Sequence, residues 1–198
     1  MPVTDPARKA RRTGGRSARV RASVLSSTLE ILLEDKSDEL SIRDVARRAG
    51  VHETSIYRRW GTRANLILDA VLCEVQAAVP TPDTGSLRED LIALHHSIAT
   101  FIATPVGELL LRLALRSGQP EEHEVRERFW AERFTAGQVV LERAQARGEV
   151  HADLDCRLVL ETLIGVLYVR MLLTREPIDG ALTERTVDLI LAGIRAPR

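Results

Sequence analysis

The sequence predicts an all-α protein of about nine helices. Three observations point there. Apolar residues recur at three- and four-residue intervals along most of the chain, no run alternates as a half-buried strand does, and helix caps and breakers stand between the apolar stripes. A chain of 198 residues can bury a sizeable core, in one large or two small domains.

Residues 1–16, MPVTDPARKARRTGGR, carry Pro, Gly-Gly and several Arg without an apolar stripe, and are expected to form a flexible basic arm. The first helix is expected over 17–34, burying Val20, Val24, Leu25, Thr28, Leu29, Leu32 and Leu33. Ser41 caps a second helix over 41–48, whose Ile42, Val45 and Ala46 share one face. Gly50 supplies the left-handed backbone of a sharp turn, and a third helix over 52–58 returns Ile56 to the core. The fourth starts after Gly61 with Thr62 as its cap and ends near 79, where Pro80 and Pro82 break the pattern. Residues 80–86 read as the mid-chain linker.

The remainder is also helical. Helices are expected over 87–103 and 104–116, then a turn at 117–120. A long amphipathic helix follows over 121–147, ended by Gly148. Asp155 caps a helix over 155–174, and Asp179 or Thr183 opens the last, to about 194. The expected division is an arm (1–16), a helix-turn-helix domain (17–66) and a helical domain (67–198).

Chemistry concentrates in residues 41–66. Ala46, Gly50 and Ile56 occupy the packing-critical places of a helix-turn-helix, and His52, Glu53, Thr54, Ser55, Tyr57, Arg58 and Arg59 can all hydrogen-bond or carry charge outward. Such a face suits entry into a DNA groove. Arg43 and Arg47, four apart on the second helix, share a face that can hold the DNA backbone, while Arg48 can pair with Asp44. Trp60 is expected to plug the core between the first, third and fourth helices. Charge agrees. The chain is formally neutral, yet residues 1–66 hold 14 Arg or Lys against 8 Asp or Glu, whereas the remainder holds 14 against 20. A basic module on an acidic body points its nucleic-acid surface to one end.

The segment SIYRRWGTRANL, residues 55–66, resembles the tetracycline-repressor (TetR) family, in which Tyr-x-x-aromatic is followed by a basic residue and a leucine. Trp60 stands where the family usually has Phe, Arg63 where it has Lys, and Arg58 and Arg59 where a second Tyr or His is frequent. The resemblance implies a regulator bound to a double-stranded DNA operator, read here as a repressor. Carried over by position, it makes His52, Glu53, Thr54, Ser55 and Arg58 candidates for base edges. Tyr57, Arg59, Thr62 and Arg63 become candidates for phosphates.

It further implies a cavity in the body for a small-molecule inducer. His95, Phe101, Trp130, Phe134 and Tyr168 are the expected lining, with Leu109, Leu113 and Phe129 as further large side chains. The last two helices are implied to form a two-fold homodimer through Leu158, Gly165, Val169, Ile190 and Ile194. Ligand binding would then move the fourth helix like a pendulum and release DNA.

Other classes find little footing. Cys73 and Cys156 are isolated thiols without CxxC spacing and are expected to be buried as small apolar residues. Adjacent His95 and His96 point about 100° apart on a helix and cannot easily share one ion. No Gly-rich phosphate loop or nucleophile elbow is present, so no enzyme activity, cofactor or metal is expected. No stretch reads as a membrane span or signal peptide, and a cytoplasmic setting without a membrane partner is expected. A helical protein–protein interaction module and a ligand-independent DNA binder are the alternatives.

Overall fold

Nine α-helices and one π-helical turn, with no β-strand, make up the regular structure among the described residues of the computed structural model, which are 13–34, 40–115 and 120–194. The chain divides into two compact units, Met1–Val71 and Leu72–Arg198.

The first unit holds α1 (Thr13–Glu34), α2 (Ile42–Ala49), α3 (Glu53–Trp60) and the start of α4 (Arg63–Ala78). Its core is built from Val24, Leu25, Leu29, Leu32, Val45, Ala46, Ile56 and Leu66, all buried. Helix α1 begins one turn earlier than expected, so residues 13–16 are helical rather than part of an arm, and the expected arm otherwise lies outside the described residues. Propagating an existing helix costs far less than nucleating one. Val20 is exposed and Ile31 takes its place in the core, because eight-residue helices cover only part of a 22-residue α1.

The turn chemistry is the expected kind. The Ser41 hydroxyl accepts the Asp44 amide at 3.2 Å. At the other end of α2, Gly50 is left-handed with φ of 67°. The Val51 amide reaches the Ala46 carbonyl at 3.0 Å and the Gly50 amide reaches Arg47 at 3.4 Å, a Schellman pair that turns the chain toward α3. His52 stands just ahead of α3 in extended backbone, not inside it. Thr62 caps α4 by accepting the Asn65 amide at 3.1 Å.

The second unit contains the rest of α4, α5 (Leu87–Ile102), α6 (Pro105–Leu115), α7 (Pro120–Ala146), α8 (Cys156–Tyr168) and α9 (Gly180–Ile194). Helices α5 and α6 meet at 85°. Asp155 caps α8 through the Leu158 amide at 3.0 Å, and Asp179 caps α9 through the Leu182 amide at 2.8 Å. The single helix expected over 155–174 changes character at its end. From Val169 to Thr174 it widens into a π-helical turn, closed by the Arg175 amide on the Arg170 carbonyl five residues back. The expected turn at 117–120 lies outside the described residues except for Pro120, which opens α7.

The linker after α4 is tied to one face of α7. Arg133 donates to the Val79 carbonyl at 3.2 Å, Thr81 to the Ala136 carbonyl at 3.3 Å, and Arg143 to the Pro82 carbonyl at 3.0 Å. Cys73 is exposed and Cys156 half-buried, which corrects the expectation of two buried thiols. The buried positions of α4 are Leu66, Leu68, Ala70, Val71, Leu72 and Val75, and Cys73 falls outside them. No single helix among the described residues is long and apolar enough to cross a membrane.

Candidate nucleic-acid interface and ligand cavity

Ile56, 1% exposed, anchors α3 to the core and so turns its other faces outward. His52, Glu53, Thr54, Tyr57, Arg58 and Arg59 are exposed and Ser55 half-buried; Tyr57, 50% exposed, is a large aromatic left in solvent. Arg43 and Arg47 are exposed on α2. Arg59 and the nearby Arg63 are braced by groups that carry no charge. Arg59 lies 5.4 Å over the Trp60 ring and 3.5 Å from the Ser17 hydroxyl, and Arg63 donates to the Leu40 carbonyl at 3.2 Å. A braced guanidinium loses less rotamer freedom when it meets a phosphate.

The expected Arg48–Asp44 pair does not form. Arg47 takes Asp44 at 2.8 Å, while Arg48 turns to α1 and makes a bidentate contact with Glu34 at 2.9 and 2.7 Å. Adjacent helical residues diverge by about 100°, so only Arg48 faces the packed α1. The Arg48 hydrogen bonds hold the Glu34 carboxyl below its usual range. Trp60 is also not the buried plug expected. It is half-buried, and its indole N–H donates to Asp69 at 2.9 Å. Asp69 also accepts Arg21, so one carboxylate braces α1, the end of α3 and α4. Sequence reasoning passed over Asp69; its signal is an acidic residue between the buried Leu68 and Ala70.

The second unit holds a partly open cavity of about 50 Å³. Phe101, Trp130, Phe134 and Tyr168 line it as expected, together with Phe129, and Val75 and Val79 contribute the end of α4. Trp130 is the hub. Phe129 meets it edge-on at 5.1 Å, Tyr168 edge-on at 6.3 Å, and Phe134 tilted at 6.0 Å. Burial pushes the Tyr168 phenol up to about 12, so it stays neutral. Thr81 and Arg133 are further polar groups on the wall, and burial lowers the Arg133 pKa from its ordinary value. Arg133 went unremarked in the sequence, although it sits three residues after Trp130 on the same helical face.

His95 does not line this cavity. It is fully buried, with Nδ1 2.9 Å from the Thr183 hydroxyl of α9, and its Nε2 has no partner among the described residues. Burial, and secondarily the charge of exposed His96, lowers its pKa to about 4. Leu109 is buried away from the cavity, Leu113 is likewise not on its wall, and Leu110 contributes there instead. For Leu109 the reason is angular: it is one residue from Leu110 and points about 100° away from it.

Several large apolar side chains of α8, the π-helical turn and α9 point outward. Leu158 is 59% exposed, Leu173 77% and Leu189 75%, with Val169 nearly half exposed. Gly165 has open space where a Cβ would sit, and Ile194 is half-buried. Ile190, expected at the dimer interface, is buried in the unit's own core; its neighbour Leu189 is the residue α9 presents outward. Among the described residues no group of three His, Cys, Asp or Glu is placed to hold a metal ion.

Comparison with known proteins agrees with both units. Residues 24–70 match the model described as bacterial regulatory proteins, tetR family, and residues 81–190 match the tetracyclin repressor-like C-terminal domain. The chain is 40% identical over 192 residues to the HTH-type transcriptional regulator AqdR of Rhodococcus erythropolis, covering 96% of this chain and 93% of that protein. It is 31% identical to the DNA-binding transcriptional repressor TetR of Mycobacteroides abscessus, covering 89% and 94%. A TetR family transcription regulator of known crystal structure superposes with a TM-score of 0.76 at 29% identity, over 90% of this chain and all of that one.

Proposed function

The chain belongs to the TetR family and is a DNA-binding transcriptional regulator, and on that premise we propose that it is a ligand-released repressor acting as a homodimer on a palindromic operator. One observation carries the reading. A core-anchored helix with a polar, basic outer face and an aromatic-lined cavity occur in one chain, and α4 contributes to both ends of it. Thr62 and Arg63 stand at the N-terminus of α4, while Val75 and Val79 line the cavity.

In this reading residues 17–66 bind DNA and 67–198 bind ligand and the second protomer. His52, Glu53, Thr54, Ser55 and Arg58 face base edges, with Arg58 offering the bidentate fork that suits guanine. Tyr57, Arg59, Thr62 and Arg63 hold phosphates, helped by free amides at the start of α4, and Arg43 and Arg47 flank the groove. A monomer reads too few base pairs. A dimer through Leu158, Gly165, Val169 and Ile194, with Leu189 in place of Ile190, reads two half-sites on one DNA face. A ligand that prefers the non-binding state then shifts the dimer away from DNA.

A mobility-shift titration with the protein's own upstream DNA tests this. A salt-sensitive, sequence-selective shift at nanomolar protein is expected. Its absence sinks the reading.

A further inference from the structure

The chain holds only seven aromatic residues, three Phe, two Trp and two Tyr. Five of them, Phe101, Phe129, Trp130, Phe134 and Tyr168, line the one cavity described above. A core needs apolar volume, which Leu, Ile and Val supply elsewhere in this chain. Concentrating the flat side chains at one cavity instead prepares stacked and edge-on contacts for a flat guest.

The wall also bears a cation. Arg133 lies within this apolar surround; its hydrogen bond goes to the Val79 carbonyl, and the carboxylate acting on it is that of its chain neighbour Glu132, which is exposed and not on the cavity wall. A guanidinium has five N–H donors, so most of its capacity is left for a guest. A partly desolvated cation gains most from an anionic partner.

We propose that the cavity takes a planar aromatic molecule carrying one anionic oxygen group, stacked among Phe101, Trp130, Phe134 and Tyr168 and anchored by Arg133. The proposal rests on the ligand-regulated reading above and names its ligand class. Size gives it a mechanical consequence. The cavity is about 50 Å³, whereas a cavity that accepts a benzene-sized guest is about 150 Å³. Entry of a ring system therefore spreads the walls. An acceptor that draws Arg133 inward also pulls on its hydrogen bond to the Val79 carbonyl, one residue past the end of α4. The anchor and the end of that helix are thus linked through one guanidinium.

Calorimetric titration of the full chain with 2-naphthoate, 2-naphthalenemethanol and decanoate tests the class. The expected order is naphthoate tightest, with both the neutral planar alcohol and the flexible aliphatic acid weaker. Arg133→Ala should weaken naphthoate about tenfold or more and leave the alcohol unchanged. Arg133→Gln serves as the second variant should the first fail to fold, and the three-probe ranking on the unmodified protein needs neither. Decanoate binding as tightly as naphthoate, an unchanged naphthoate affinity in the variant, or no binding of any probe overturns the proposal. A parallel mobility shift separates the two levels. Decanoate that binds and releases DNA leaves ligand regulation standing and removes the aromatic class, whereas naphthoate that binds without releasing DNA does the reverse.

Discussion

Arg47 and Arg48 differ by one position and have different partners, because one residue along a helix is a rotation of about 100°. Arg48 pairs with Glu34 of α1, whereas Arg47 pairs with Asp44 within α2. The same reasoning sorts α3 and the start of α4. Arg63→Ala should weaken binding to every DNA sequence, whereas Arg58→Ala should relax preference at one base pair, by about 1–3 kcal/mol of discrimination. Mobility shifts against single-base operator variants check it, and loss of preference alone in both proteins would refute the assignment. His95 carries a different residue-scale prediction. Its folded pKa, about 4, lies below the ordinary histidine value of 6.5. Between these the unfolded chain binds a proton that the folded chain refuses, so His95 contributes stability above pH 6.5 that is lost as pH falls toward 4. Thermal melts across that window should show a shallower pH slope in a His95→Leu variant than in the unmodified protein. An unchanged slope would show that other groups set it.

At the scale of elements, the caps were legible because they are local. Ser41, Gly50, Thr62, Asp155 and Asp179 make their bonds within a few residues of sequence. The corner between α5 and α6 was not legible, since it depends on how closely two helices approach. A Cβ on Gly107 would lie 2.3 Å from the Phe101 carbonyl oxygen and 2.6 Å from the Ile102 Cα. Backbone cannot swing aside as a flexible side chain can. Gly107→Ala should therefore destabilise the second unit by about 2–3 kcal/mol, read as a lowered denaturation midpoint. Gly137 makes the contrasting case, because a Cβ there meets only the Leu160 side chain, at 3.0 and 3.2 Å. Gly137→Ala should cost clearly less than Gly107→Ala in the same assay.

For the whole molecule, the outward leucines bear on assembly. Soluble chains keep large exposed apolar patches for partners, and Leu158, Leu173 and Leu189 are each more than half exposed. Leu189→Asp should leave helicity unchanged, halve the mass in sedimentation, and abolish the shift of a palindromic DNA. A variant that remains dimeric would remove Leu189 from the interface.

Most helices, their caps, the family motif in residues 55–66 and the basic N-terminal module are written in residues near one another along the chain, and so could be read from it directly. Four of the five expected cavity residues could be read there too, since large aromatic side chains in middle helices have few other places to go. Tertiary structure alone decided that His95 belongs to the core, that Leu189 rather than Ile190 faces outward, and that Arg133 joins the cavity to the end of α4. Those outcomes depend on how each helix is rotated about its own axis. That rotation is fixed by all the neighbours packed against the helix at once, and periodicity constrains it only to within a residue or so.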